Sequence, residues 1–274
     1  MSDQEPVSPD LRRRVRHDER DYERSARVYA ELVRSPVRTL QDNDLMVNAL
    51  PNAGEGAEID LWFAARSSII VAGSQQEAAG LAGVGLGGAI CTKMVVSPMR
   101  GSGLASGSGA GERLEGTGIV DAGSLEAELW VTEQQTGCSV LILDWGRGRY
   151  SMVHLQPHED TQFSRFSRAV MGLGGYTWGL TSESFFRSAY KNASLKQEAS
   201  SVVANTGRTP ESYILVQTMF DASRAREAQL IGVRSGSRFR FYRHRVMGRT
   251  GTQVDELRWS GWWSWLPAFT SRAY

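Results

Sequence analysis

Only two cysteines, Cys91 and Cys138, and four histidines occur in 274 residues. Two cysteines do not make a disulfide framework, and a single bridge would consume both thiols. No run of 18 uncharged apolar residues is present, which predicts no membrane-spanning helix. The opening Met1-Ser-Asp-Gln-Glu-Pro6 lacks the apolar core of a signal peptide. An excess of one charge is also missing. The net charge of +1 gives no overall drive toward nucleic acid or a membrane surface. With 41% hydrophobic and 22% charged residues, the composition is that of a soluble globular chain. Its length suits one large domain, or a domain with an appendage.

Residues 1–40 read as a charged helical arm bounded by Pro9 and Pro36. Leu11, Val15, Tyr22, Ala26, Tyr29 and Val33 recur at helical spacing, so one face should pack on the body. Residues 41–274 read as a single catalytic domain. Short apolar runs at 45–47, 59–64 and 68–72 predict strands in a meander, with Asp60 facing solvent. Gly83-Val-Gly85-Leu-Gly87-Gly88 fits the spacing of a dinucleotide loop. Such a site needs a strand before the glycines and a helix after them. Gln75–Leu81 is no strand and Ala89–Val96 reads as one, so no nicotinamide cofactor is expected. The run Gly101–Gly111 reads as a surface loop, and Cys91 as a core residue.

Glu126–Val131 predicts a strand with Leu129 and Val131 on its buried face and Glu128 and Trp130 on the other. Two helices are expected in 156–200. Strands follow at 212–220, 229–234 and 238–246, the last two joined by Ser235-Gly236. The tail holds Trp259, Trp262, Trp263 and Trp265 and reads as a cover over the body. The fold class expected is α+β: a β-sandwich-like mixed sheet core flanked by helices and preceded by an N-terminal helix.

The most informative stretch is Thr132–Asp144 followed by Tyr150–Leu155. Two β-forming runs flank Trp145-Gly-Arg-Gly-Arg149, which predicts a β-hairpin. Such a hairpin carries His154 back to the level of Cys138 at about 3.3 Å per residue. An imidazole there would lower the thiol pKa and return a proton to a leaving group. Gly137 leaves room for a planar group, and backbone N–H groups at Gly137 and Cys138 could hold an oxyanion. Thr132 could orient the ring through its hydroxyl or its carbonyl. The same residues admit a second reading, in which Cys138 is an ordinary core thiol and His154 a core imidazole bonded to a carbonyl. His17 lies in the charged arm and takes no role. His158 follows Pro157 and has no third ligand at metal-site spacing, so no metal is expected.

Thr-(five residues)-Cys, with Gly-Cys at the turn and Met-Val-His on the returning strand, resembles the bacterial Cys-His glutamine deamidases. These comprise the cytotoxic necrotizing factor catalytic domain, the Burkholderia lethal factor deamidase and the chemoreceptor glutamine deamidase. The resemblance covers about two dozen residues. This chain has Thr136 and Gln135 where the toxins have Ser and Leu. The resemblance implies Cys138 as nucleophile and His154 as its acid–base partner, with Thr132 completing the triad as in the latter two groups. It also implies a protein substrate and a monomeric toxin or effector. Without a signal peptide, that effector would be exported by a dedicated secretion system into a target cell. No cofactor and no stable nucleic-acid partner are expected.

Two rivals remain. Another cysteine hydrolase, such as an NlpC/P60-like peptidase or amidase, would place its cysteine at a helix start, whereas 139–144 reads as strand. A non-enzymatic binding module would use strand 238–246, where Arg238, Arg240, Arg243 and Arg245 interleave with Phe239, Phe241 and Tyr242.

Overall fold

The computed structural model describes residues 9–48, 58–97, 119–132, 139–155, 209–217, 226–246 and 251–261. The expected helices in 156–200, the glycine run 101–111, Gly137, Cys138, His158 and the tryptophans after Trp259 lie outside these residues.

The arm is helical as its composition demands. Helix α1 spans Pro9–Arg34, and α2 spans Pro36–Asp42 with a proline in its first turn. The break between them falls at Ser35, where the following proline disfavours helical backbone. Ala26, Tyr29 and Val33 pack inward as the spacing predicts, together with Leu32, which is fully buried. Tyr22 is 50% exposed, contrary to expectation. The helix there meets glycine backbone rather than apolar side chains.

That glycine backbone explains the dinucleotide-like spacing. Helix α3 (Gln75–Ala82) ends at Gly83, whose φ of +68° is the left-handed cap glycine favours. A 3-10 turn (Leu86–Gly88) and a strand follow, so the order is helix, glycines, strand, the reverse of a dinucleotide site. A Cβ on Gly88 would lie 2.7 Å from Asp21 Cβ, and Gly85 and Gly87 sit against the Asp18 side chain. The glycines are a socket for α1. Ser25 fastens it: its hydroxyl donates to Gly88 O (2.7 Å) and accepts from Ala65 N–H (3.1 Å), all buried. Ser25→Ala leaves that N–H buried without a partner. It is expected to cost about 1–3 kcal/mol in urea unfolding, with faster proteolysis in α1.

The strands are β1 (Asp44–Val47), β2 (Glu58–Arg66), β3 (Ile69–Gly73), β4 (Ile90–Ser97), β5 (Val120–Asp121), β6 (Leu129–Thr132), β7 (Ser139–Asp144), β8 (Arg149–Leu155), β9 (Ser212–Gln217), β10 (Arg226–Ser235), β11 (Arg238–Val246), β12 (Thr252–Glu256) and β13 (Ser260–Gly261). They form an eight-stranded mixed sheet, ordered β1-β3-β2-β4-β6-β10-β11-β12 and curled toward a barrel, and a five-stranded antiparallel sheet, ordered β13-β9-β7-β8-β5. The α+β class with an N-terminal helix is as expected. The meander is not: β2 and β3 form a hairpin, but β1 lies outside β3 and parallel to it. The second edge of β2 is taken by β4, so β3 offers β1 its free edge.

One face of the large sheet packs on α1 and α2. Leu32 and Leu40 meet Leu61, Phe63, Met94, Leu129, Ile231 and Tyr242 in one core. The other face meets α3 over β2 and β3, and the small sheet over β4, β6, β10 and β11. This double cover corrects the reading of β6. All four of its residues are buried, and Trp130 is fully so rather than facing solvent. A strand with both faces covered loses its alternation. Asp60 is exposed as expected. Cys91 is exposed rather than core. Of β4, strand β6 pairs with Met94–Ser97, so among the described residues the start of β4 has no strand on that edge. Near the barrel seam, the buried Gln229 carboxamide is oriented by its neighbours to donate to Leu45 O and accept from Val47 N–H of β1.

Candidate active site

The two ends of the sandwich differ. At one end the turns are tight. The predicted β7–β8 hairpin is present and turns through Gly146, Arg147 and Gly148, all at positive φ. A Cβ on Gly148 would overlap Ser237 O, so this turn rests on the β10–β11 turn. At the other end lie the last residues of β1, β4, β6, β8, β9 and β11 and the first of β2, β7, β10 and β12. The longer connections leave from that open end, where binding and catalytic groups tend to sit on a rigid frame.

Thr132 is the last residue of β6 and stands at the open end. It is fully buried, and its Oγ1 accepts from Leu230 N–H of β10 at 3.0 Å. Of the two ways in which Thr132 was expected to orient an imidazole, the hydroxyl is thus already held by the backbone of the next strand.

His154 lies in β8, paired with Val140 of β7. The backbone of position 154 is described and its imidazole is not. Met152 and Tyr150, the buried residues two and four before it, face the large sheet, as do Val140 and Val216. Position 154 is the next on that alternation. Trp130 Nε1 donates to Ser97 Oγ (2.7 Å), and Ser97 Oγ donates to Met152 Sδ (3.0 Å). Ser97 is the strand partner of Thr132, so it ties β8 at Met152 to the row of Thr132 on the facing sheet. Position 154 follows two residues after Met152, toward the same end. Cys138 lies outside the described residues. It is bonded to Ser139, whose strand partner is Leu155. Ser139–Asp144 is a strand, as predicted and unlike the helix that the rival cysteine hydrolases require.

The basic-aromatic strand β11 is not a stacking platform. Phe239, Phe241 and Tyr242 are buried at 2%, 1% and 1% exposure. Trp130 meets Phe239 and Phe241 edge-on at 5.4 and 5.9 Å between ring centroids. Gly232, between Trp130 and Phe241 in the sheet, makes that approach possible, since a Cβ there would lie 2.7 Å from Phe241. Arg240 forms a two-pronged pair with Glu256, while Arg243 and Arg245 share Asp255. Burial pushes the Asp255 carboxyl up, but hydrogen bonds from Arg243 and Gln253 outweigh it and hold the group below its usual range.

Sequence reasoning passed over His244. It is buried on β11 beside Asn43 and Leu40, and its Nε2 has no partner. Burial pushes its imidazole pKa down, against the Asp44 charge and the backbone groups of Asn43 and Leu40. Its place two residues after Tyr242, on the strand face turned toward the helices, was the available signal. A depressed histidine binds fewer protons folded than unfolded, so unfolding gains from acid. Its contribution to stability is full above the unfolded value of about 6.5 and is lost as pH falls through the lower folded value. Urea midpoints are expected to fall from pH 8 to pH 5, and His244→Phe to flatten that slope. Tyr29, pushed up to about 12 by burial despite a hydrogen bond from Thr92, stays neutral throughout.

Among the described residues, no helix is long and apolar enough to cross a membrane. No family model matches the chain, and a search of curated proteins gives no match.

Proposed function

We propose that this chain is a cysteine-dependent protein-glutamine deamidase, with Cys138 as nucleophile, His154 as acid–base partner and Thr132 as the residue that orients the imidazole. The observation that supports it most is that Ser97, the strand partner of Thr132, touches Met152 two residues before position 154 on the facing sheet, with Cys138 joined to the first residue of the strand that pairs with β8. Diagonal positions on paired strands lie about 7–8 Å apart, a span that a thiol and an imidazole close between them. Thr132, its hydroxyl fixed by the Leu230 N–H, would orient the ring through that hydroxyl or through its carbonyl.

In the reaction His154 takes the Cys138 proton, and the thiolate attacks the side-chain carbonyl of a protein glutamine. Backbone N–H groups at Gly137 and Cys138 hold the oxyanion. The C–N bond breaks as His154 gives its proton to the departing ammonia, leaving a thioester. His154 then removes a proton from water, which attacks the thioester. Glutamate leaves and the thiol returns. No cofactor takes part. The resemblance that motivates this chemistry places the substrate in a target cell, reached through a dedicated secretion system. The test is expression of the wild type and Cys138→Ser in eukaryotic cells, followed by mass spectrometry for glutamines converted to glutamate. Conversion only with the wild type supports the proposal. Equal patterns from both proteins reject it.

A further inference from the structure

Strand β11 carries three arginines in ion pairs, and they are not equivalent. Arg240 faces the helix side and is saturated: Nε and Nη2 both donate to Glu256, at 3.0 and 2.7 Å to one oxygen and 2.6 Å to the other. Arg243 and Arg245 share the opposite face, that of Phe239 and Phe241, turned toward the small sheet. Both place Nη2 on the same oxygen, Asp255 Oδ2, at 2.8 and 3.1 Å. The other oxygen, Oδ1, accepts from the neutral Gln253 amide at 3.2 Å. Two guanidinium charges thus share one carboxylate. The Nε of each is buried and has no hydrogen-bond partner. Their side chains nonetheless remain 27% and 26% exposed. In a guanidinium, Nε–H and a neighbouring Nη–H form the edge that matches a carboxylate. Arg240 uses that edge fully, whereas Arg243 and Arg245 do not.

Their place in the sheet gives this a use. Ser97 pairs with Thr132, Thr132 bonds Leu230, Leu230 pairs with Arg243, and Arg243 pairs with Asp255. These residues form one row across the large sheet, on the face turned toward position 154. Arg243 is two strands from Thr132, about 10 Å at the usual spacing, within the length of a short peptide segment.

We propose that Arg243 and Arg245 form a carboxylate-binding subsite at the open end of the sandwich, which takes an aspartate or glutamate side chain of a protein segment docked there. Asp255 holds the two guanidinium groups side by side and competes with the incoming carboxylate for them. The excess of one positive charge suits a monoanion. The aromatic rings on which a nucleic acid would stack are buried, which favours a carboxylate over the phosphates of a polynucleotide. The subsite gives the deamidase reading a substrate class, an acidic protein segment. Its binding is read without turnover and stands apart from that reading.

The test uses the full chain and two fluorescein-labelled peptides, one with glutamates flanking a glutamine and one with those glutamates replaced by glutamine. The acidic peptide is expected to bind more tightly than the neutral one. Arg243→Gln or Arg245→Gln should weaken it by about tenfold, and Arg240→Gln should leave it unchanged. Asp255→Asn removes the internal competitor and should tighten acidic-peptide binding several-fold, a gain that misfolding cannot mimic. Equal binding of the two peptides overturns the proposal, as does an Arg240→Gln loss matching the others or weaker binding by Asp255→Asn. Tighter binding of a single-stranded oligonucleotide at the same arginines overturns the assignment to carboxylate. Cys138→Ser should bind the acidic peptide as the wild type does, so loss of the catalytic reading leaves this result readable.

Discussion

Cys138→Ser is expected to lower glutamine conversion by about ten-thousand-fold or more, with no change in the thermal unfolding midpoint. A serine hydroxyl keeps the shape of the thiol but holds its proton far more tightly, so the attacking anion is lost. His154→Ala should cost a similar factor, since without the ring the thiol stays protonated and ammonia leaves without a proton. The double variant should be scarcely worse than either single one, because groups that act as a unit do not contribute additively. Ammonia release from a substrate protein measures all three. Retained turnover in Cys138→Ser would remove the thiol from the mechanism, whatever His154 does.

Trp130→Ala should have the largest effect on stability. The indole is fully buried, lies edge-on to two phenylalanines and donates to Ser97. Truncating a buried tryptophan costs about 3–5 kcal/mol, most of it from the cavity left behind. That is a large fraction of the 5–15 kcal/mol that holds a typical domain together. Trp130→Phe keeps much of the packing and loses the hydrogen bond, worth about 1 kcal/mol, plus the volume difference. Urea unfolding of the three proteins separates these terms. A loss below about 1 kcal/mol for Trp130→Ala would mean that the two sheets do not close on this residue. Because Trp130 donates to Ser97, the strand partner of Thr132, the same cavity should loosen the open end and reduce activity in the protein that still folds.

The hairpin of β7 and β8 was legible because everything that specifies it is local. Two β-forming runs flank a turn whose Gly146 and Gly148 supply the positive φ it needs. The helix between Pro9 and Pro36, and the β10–β11 hairpin around Gly236, were legible for the same reason. The candidate site was partly legible. The hairpin register could be counted, but the approach of the Thr132 row to β8 follows from Ser97 on β4, which pairs with Thr132 and touches Met152.

Other readings failed wherever a distant segment decided the outcome. Trp130 looked solvent-facing because Glu126, Glu128 and Trp130 alternate, and nothing in that stretch announces a second sheet above it. Cys91 looked like core because its apolar neighbours do, yet β6 stops short of it. The glycines at 83–88 matched a nucleotide loop by spacing, and only the approach of Asp18, Asp21 and Ser25 shows what they make room for. The arginines of β11 looked like one basic stripe until Glu256 took Arg240 for itself and Asp255 was left shared between Arg243 and Arg245.

The sequence by itself determined the first helix between its prolines, the β7–β8 and β10–β11 hairpins and their glycine turns, because propensity, periodicity and glycine or proline backbone limits act within a few residues. Only the tertiary structure decided which faces are covered, which edges are closed and which charges are neutralised. Each of those depends on contacts between residues far apart in the chain, which local pattern cannot encode.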